Sequence, residues 1–202
     1  MSKFITVEGL DCAGKTSIII PYLQSKLDAE KTLFVADMKT GKISSKIREI
    51  FMDPECVTEN TDWRTIALLA SCARSDMVYQ NIIPALNSGR NVVCDRYVDT
   101  SFVYNLKSDT APVDTILNLS THLVYPHIII FAYCSYEELV KRKSTRDDND
   151  QWDLADAEAY NSKLERYREQ LNSRNAKVIE LNTSCSIEEV YKMIDEQVLP
   201  LI

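Results

Sequence analysis

The chain lacks a basic excess. Lys and Arg total 23 against 30 Asp and Glu, a net charge of −7. A binder of polymeric nucleic acid would show the opposite balance, so DNA and RNA are disfavoured as partners. A small anionic ligand stays open, because a few local cations and backbone N–H groups outweigh a distant net charge. Long apolar runs are also missing. The longest, "VYPHIIIFAYC", has 11 residues, against roughly 20 needed to cross a bilayer. The six cysteines, Cys12, Cys56, Cys72, Cys94, Cys134 and Cys185, form no C-x-x-C pair. Cys94 and Cys134 fall in apolar runs, where a buried thiol is expected. Lys3 leads directly into a strand pattern rather than a secretory segment, so the N-x-S/T matches at Asn118 and Asn182 carry no weight. These absences describe a reduced, cytoplasmic protein. Repeats, low-complexity tracts and linkers are absent too.

With 45% hydrophobic residues in 202, the chain can bury one sizeable core, and a single domain over residues 1–202 is expected. Five short runs read as buried strands: "FITVEG", "TLFVADM", "NVVCDRY", "HIIIFAYC" and "KVIELN". They are nearly continuous in Val, Ile and Phe, as parallel strands covered on both faces should be. Helix-length segments separate them. The expected fold is therefore α/β, a five-stranded parallel sheet flanked by helices. Glycine is scarce, and three of the four (Gly9, Gly14, Gly41) come just after the first two strands. The polar stretch "KRKSTRDDNDQWD", Lys141 to Asp153, reads as an exposed mobile segment or a solvated surface loop.

In "VEGLDCAGKTSIII", Gly9, Gly14, Lys15 and Thr16 satisfy G-x-x-x-x-G-K-[ST], with Leu10, Asp11, Cys12 and Ala13 between the glycines and Ser17 next. A strand precedes the loop and a helix pattern follows. N–H groups of the loop and the helix N-terminus then converge on one spot suited to phosphate, so residues 9–17 are the expected ATP-phosphate cradle. Lys15 would reach the terminal phosphates and Thr16 would ligate Mg²⁺. Pro21, early in the helix, is predicted to bend it. "NVVCD" ends a strand on Asp95, the expected partner of Mg²⁺, with Arg96 beside it at the end of the sheet where ligands bind. The N-K-x-D segment of a GTPase and the L-S-G-G-Q of a transport ATPase are both missing. A small kinase needs an acceptor pocket, cations and a water-excluding lid, and the chain offers candidates for each.

At this level of detail the sequence resembles the thymidylate (dTMP) kinase family. "FITVEGLDCAGKTS" is similar to its first strand and loop. Ala67 to Asn105, with D-R-Y-x-x-x-S-x-x-Y at its end, is similar to its helix–strand–helix core. "KLERYREQL" and "VIELNTSCSIEEVYKMI" are similar to its later elements. The resemblance implies ATP as phosphoryl donor, Mg²⁺, dTMP or a related deoxynucleoside monophosphate as acceptor, a lid at about 141–153, and a homodimer. By the same resemblance Asp11 accepts from the 3′-hydroxyl of the sugar. Arg74 reads the 4-keto oxygen of thymine, although alone it would pass for a surface arginine. Arg96 holds the acceptor phosphate and the transferring group. Ser101 meets the base edge and Tyr104 the sugar, unless Tyr104 is simply a core residue. Ala67, Ala70, Ser71, Arg74 and Val78 share one helical stripe, which leaves room for a ring.

Several positions depart from the family pattern. Ala70 stands where many members stack an aromatic residue on the base. "ADMKTG" replaces R-E-P-G-G-T, so a phosphate-binding arginine is missing and Lys39 is the substitute, a point charge without a bidentate fork. Gln151 stands in "DQWD" where a lid arginine is common. Cys12 fills the loop position that is arginine in some members. The catalytic arginine is then expected from the lid, Arg146 first and Arg142 second, because phosphoryl transfer needs a cation on the spreading charge. The expected catalytic set is Lys15, Asp95, Arg96 and Arg146. The acceptor phosphate is already anionic, so no general base is assigned. The rivals are a kinase of broader deoxynucleoside monophosphate specificity, a deoxynucleoside kinase using Glu8 as base, and a non-enzymatic nucleotide-binding switch.

Overall fold

A computed structural model describes residues 2–104, 113–145 and 156–202. The strands are β1 (Phe4–Glu8), β2 (Thr32–Ala36), β3 (Asn91–Asp95), β4 (Ile128–Tyr133) and β5 (Lys177–Asn182), all parallel, in the order β2-β3-β1-β4-β5. The five apolar runs thus become the five strands. Alternate residues face opposite sides. Ile5, Val7, Val93, Ile128, Ile130, Ile179 and Leu181 pack under α1 (Ile20–Lys26) and α9 (Ile187–Gln197). Phe4, Val92 and Cys94 face the other way, against residues of α3 (Trp63–Met77), α5 (Val98–Tyr104) and α6 (Val113–Ser120). Ile129 and Phe131 continue that face beneath α7 (Tyr136–Lys143) and α8 (Ala157–Asn172). Cys94 and Cys134 are buried, as expected. The edge strand β5 departs from the both-faces-covered pattern: Lys177, Glu180 and Asn182 are exposed.

Two proline positions share one solution. Pro21 was expected to bend its helix. The chain makes a single π-turn over Lys15–Ile19, with the Ile20 N–H reaching back to the Lys15 carbonyl, and Pro21 enters α1 in its first turn. A second π-turn, Val78–Ile82, precedes Pro84 at the start of α4 (Ile83–Asn87). A proline ring clashes with the carbonyl four residues back in a regular helix. One wider turn moves that carbonyl aside.

α2 (Lys42–Met52) is short and amphipathic. Ser44, Ile47 and Phe51 turn inward, and Phe51 packs with Met38, Val57, Ile66 and Ala73 in a satellite core between α2 and α3. α3 starts at an N-cap, with the Asp62 carboxylate accepting from Arg64 N–H. The carboxyl ends of β1, β2 and β3 lie level, since Val7 and Ala36 both pair with Asp95. That end of the sheet carries the loops that form the site. Among the described residues no helix is long and apolar enough to cross a membrane.

Candidate active site

A cavity of about 740 Å³ opens over the carboxyl ends of β1, β2 and β3. One end is the loop after β1. Gly9 is required there by close approach: a Cβ would sit 2.1 Å from the Ala132 carbonyl oxygen of β4. Gly14, at φ 79°, ends the loop and starts the helix. The Lys15 ammonium is buried and donates to the Leu10 carbonyl at 2.6 Å. Burial first, then the neighbouring Arg96 charge, lowers its pKa to about 8 against the opposing pull of Asp11, Asp95 and Glu8. Gly14, Lys15, Thr16 and Ser17 line the cavity, as do Asp11 and Cys12. Leu10 and Ala13 are wholly buried and shape the loop from behind.

Thr16 and Asp95 meet. The Thr16 hydroxyl donates to Asp95 Oδ2 at 2.7 Å. Asp95 Oδ1 is buried with no hydrogen-bond partner among the described residues. A hydroxyl and an orphaned carboxylate oxygen are hard donors, the kind Mg²⁺ takes in ones and twos while keeping water and phosphate oxygens for the rest. The residues therefore fit that ion.

Arg96 is held in the left-handed region at φ 65°. Its guanidinium donates to the Gly9 carbonyl at 2.9 Å, to Thr100 Oγ1 at 3.4 Å and to Asp11 Oδ1. Tyr104 donates to the other Asp11 oxygen at 2.8 Å. Burial pushes the Asp11 pKa upward, but the charges of Arg96 and Lys15 and the Tyr104 hydroxyl overcome it and hold it at about 2. The carboxylate in the loop is thus an anion already matched by cations, so it does not set a bare negative charge against phosphate. Cys12 and Met38 also have positive φ, at 60° and 56°. All three strained residues line the cavity. Such strain costs on the order of 1–3 kcal/mol each and clusters at functional sites.

The cavity is also lined by Ala70, Arg74, Ser101 and Tyr104, together with Lys39 from the loop after β2. Arg74 is not a surface arginine. Its side chain is 3% exposed and makes two hydrogen bonds, at 3.0 and 2.8 Å, to Asp37 Oδ2. Of the expected stripe, only Ala70 and Arg74 reach the cavity. Ala67 is buried beside them in the helix packing, Ser71 donates to the Leu119 carbonyl, and Val78 belongs to the core under the sheet.

Arg142 is the last-turn arginine of α7, not a loop residue. It donates to the Cys12 carbonyl at 2.8 Å, to Thr183 Oγ1 at 3.1 Å, to the Thr183 carbonyl, and to Glu138 at 2.9 Å. It thereby ties the phosphate loop to the segment after β5 while facing the cavity. Residues 141–143 of the expected lid complete α7. Arg146, Gln151 and the rest of Asp150 to Asp153 lie outside the described residues.

Sequence reasoning missed Asp37, Met38, Arg48, Phe51 and Met52, all of which line the cavity. Only the inward face of α2, Ile47 and Phe51 at helical spacing with Arg48 beside them, hinted at this wall. Glu8, the candidate base of a deoxynucleoside kinase, is wholly buried and is not among the residues lining the cavity. Its oxygens accept from Tyr97 N–H at 2.7 Å, Thr100 Oγ1 at 2.8 Å and the Tyr167 hydroxyl at 3.3 Å. Burial, then the charge of Asp99, raises its pKa to about 8. It braces β1 against α5 and α8 and cannot reach a substrate hydroxyl.

Comparison with known proteins agrees with this geometry. Three curated relatives named thymidylate kinase align along nearly the whole chain. The one from Symbiobacterium thermophilum is 33% identical over 208 residues, covering 99% of this chain and 95% of its own. Those from Ligilactobacillus salivarius and Finegoldia magna are each 30% identical, covering 93% and 96% of this chain and the same shares of their own. The thymidylate kinase family model matches residues 7–194, from the strand that delivers the phosphate loop to the last turns of α9, and the chain belongs to the thymidylate kinase family.

Proposed function

We propose that the protein transfers the terminal phosphoryl group of ATP to dTMP, giving dTDP and ADP. One observation carries the reading beyond family membership. A single cavity joins the phosphate loop, with Lys15, Thr16 and Asp95, to a second pocket with Arg74, Ser101 and Tyr104. A nucleotide-binding switch needs only the first pocket. A deoxynucleoside kinase needs a base, and Glu8 is sealed away.

In this reading Lys15 and the loop N–H groups bind the donor phosphates. Thr16 and Asp95 would hold Mg²⁺, which would supply charge neutralisation on the donor phosphate oxygens. Arg96 lies between the loop and the acceptor pocket and neutralises the group in transit. Asp11 orients Arg96 while its exposed edge accepts from the sugar 3′-hydroxyl, with Tyr104 alongside. Arg74 donates to the base carbonyl, and Ser101 meets the base edge. Lys39 and Arg48 bring positive charge to the acceptor phosphate from the β2 and α2 side. Arg142 secures the loop against the C-terminal segment, and Arg146 is the catalytic lid cation. The acceptor phosphate attacks as an anion, so positioning and charge neutralisation carry the step.

A coupled ATP-consumption assay over deoxynucleosides and their monophosphates tests this. Turnover with dTMP and none with thymidine is expected; the reverse pattern would sink the proposal. A homodimer is part of the same reading. Leu68 and Tyr79, at 55% and 52% exposed, and Cys72 form an apolar stripe along α3 and its continuation, which a second copy would cover. Sedimentation as a monomer at micromolar concentration would refute that part. The reading also places the enzyme in the cytoplasm, where its nucleotides are.

The state of Lys15 makes a pH prediction. The ammonium form binds phosphate and predominates below its pKa of about 8. The value of kcat/KM for ATP should therefore fall about tenfold per pH unit above that point. The kcat limb should lie at higher pH, because bound phosphates favour the cation. A flat kcat/KM profile to pH 9.5 or so would show that Lys15 stays charged in the free enzyme.

A further inference from the structure

We propose that Glu8 is a positioning residue for Arg96: its buried carboxyl fixes both the backbone turn and the side-chain direction of the arginine. The inference rests on the reading of Arg96 as the cation that neutralises the transferring group and adds what holds it in place.

Arg96 stands at φ 65°. A residue other than glycine keeps such a conformation only where its surroundings over-determine it. Three consecutive residues at the carboxyl end of β1 do so. The Arg96 N–H donates to the Val7 carbonyl at 3.0 Å. The next N–H, that of Tyr97, donates to Glu8 Oε1 at 2.7 Å. The guanidinium donates to the Gly9 carbonyl at 2.9 Å. Two of these acceptors are backbone groups that any residue supplies. The third is a side chain, so it depends on the identity of residue 8.

The other carboxyl oxygen reaches the same guanidinium through one hydroxyl. Thr100, in the first turn of α5, donates from Oγ1 to Glu8 Oε2 at 2.8 Å and accepts from Arg96 Nη1 at 3.4 Å. Glu8 therefore holds Arg96 at its main chain and at its tip, while staying out of the cavity itself. Packing alone would be served as well by an apolar side chain at this wholly buried position, whereas the Tyr97 N–H needs an acceptor. Burial raises the pKa of Glu8 to about 8. The hold on Tyr97 survives protonation, because a neutral carboxyl keeps an acceptor oxygen.

The test is a double-mutant cycle with dTMP as acceptor. Glu8→Met keeps the bulk and removes both acceptors, and should lower kcat about a hundredfold, the scale of a misplaced reacting group. Glu8→Gln keeps an acceptor for Tyr97 and a polar group beside Thr100, and should stay within about threefold of wild type. KM for ATP near pH 7 should change by less than about twofold in both, because Lys15 and the loop N–H groups are left in place. In an Arg96→Ala background Glu8→Met should cost less than about threefold, since a residue that acts through Arg96 has nothing left to place. A Glu8 that serves only the fold would cost the same factor in both backgrounds, and that result overturns the assignment. So does a folded Glu8→Met enzyme with kcat within about threefold of wild type. Should Glu8→Met not fold, Thr100→Val decides: with the link to Nη1 cut, kcat should fall about fivefold, and Thr100→Ser should restore it. An unchanged kcat in Thr100→Val then overturns the assignment. In each of these cases dTMP kinase activity stands. A wild-type enzyme inert toward dTMP overturns both readings.

Discussion

Arg96→Ala is expected to lower kcat/KM for dTMP by about a thousandfold or more, the effect of removing a positioned arginine from a transferring phosphoryl group. That is roughly 4 kcal/mol of transition-state stabilisation. The geometry explains why the loss should be so large. The guanidinium is pinned by the Gly9 carbonyl, Thr100 and Asp11, so it pays little reorganisation when charge develops beside it. Its removal also exposes Asp11. With Arg96 gone, that carboxylate loses its paired cation, keeps Lys15, Lys163 and the Tyr104 hydroxyl beside it, and becomes a repulsive neighbour of the phosphates. Arg96→Lys should recover part of the rate, to within about a hundredfold of wild type, because a lysine restores charge without the fork that reaches Gly9 and Asp11 together. The side chain is only 21% exposed, so circular dichroism and melting must accompany the kinetics. An Arg96→Ala enzyme that folds and works within tenfold of wild type would remove Arg96 from the mechanism.

Arg74→Ala should produce the largest loss of stability. The substitution leaves Asp37, whose side chain is 5% exposed, as a buried carboxylate without its cation. Breaking one partner of such a pair costs about 3–5 kcal/mol, or on the order of 10 °C in Tm for a domain of this size. The pair itself is worth far less than that. Asp37 Oδ1 is buried with no hydrogen-bond partner among the described residues, so the folded state carries an unmet desolvation cost. The double variant Arg74→Met with Asp37→Leu is therefore expected to melt within a few degrees of wild type, since well-packed apolar replacements of buried ion pairs are often neutral or stabilising. Its KM for dTMP should nevertheless stay raised by at least about tenfold, because the donor to the base carbonyl is gone. Recovery of both stability and KM in the double variant would show that Arg74 serves the fold alone.

The fold was legible because parallel strands buried on both faces must be apolar throughout. "FITVEG", "TLFVADM", "NVVCDRY", "HIIIFAYC" and "KVIELN" each became a strand. β5 strays most from that pattern, since Lys177, Glu180 and Asn182 are left uncovered. The phosphate loop was legible for a related reason. Its chemistry is mostly backbone, and backbone needs show as fixed glycine spacing, such as Gly9 against the Ala132 carbonyl.

Side-chain partnerships between distant segments leave no such trace. Asp37 and Arg74 are far apart in the chain, and no periodicity links them. Only the packing of the loop after β2 against α3 makes them a buried pair. Asp11 is a carboxylate in an anion-binding loop, and Arg96 and Tyr104, distant in the chain, close on it. Arg142 read as part of a lid, but α7 runs far enough to place it on the Cys12 carbonyl. The absent ring at Ala70 was visible in the sequence, whereas the wall that α2 adds to the cavity was not, because it depends on how α2 lies along α3. Local chemistry, meaning strand burial, glycine geometry and the donor loop, was determined by the sequence alone. The pairing of charges and the shape of the acceptor pocket were decided by tertiary packing, because they depend on which distant surfaces meet.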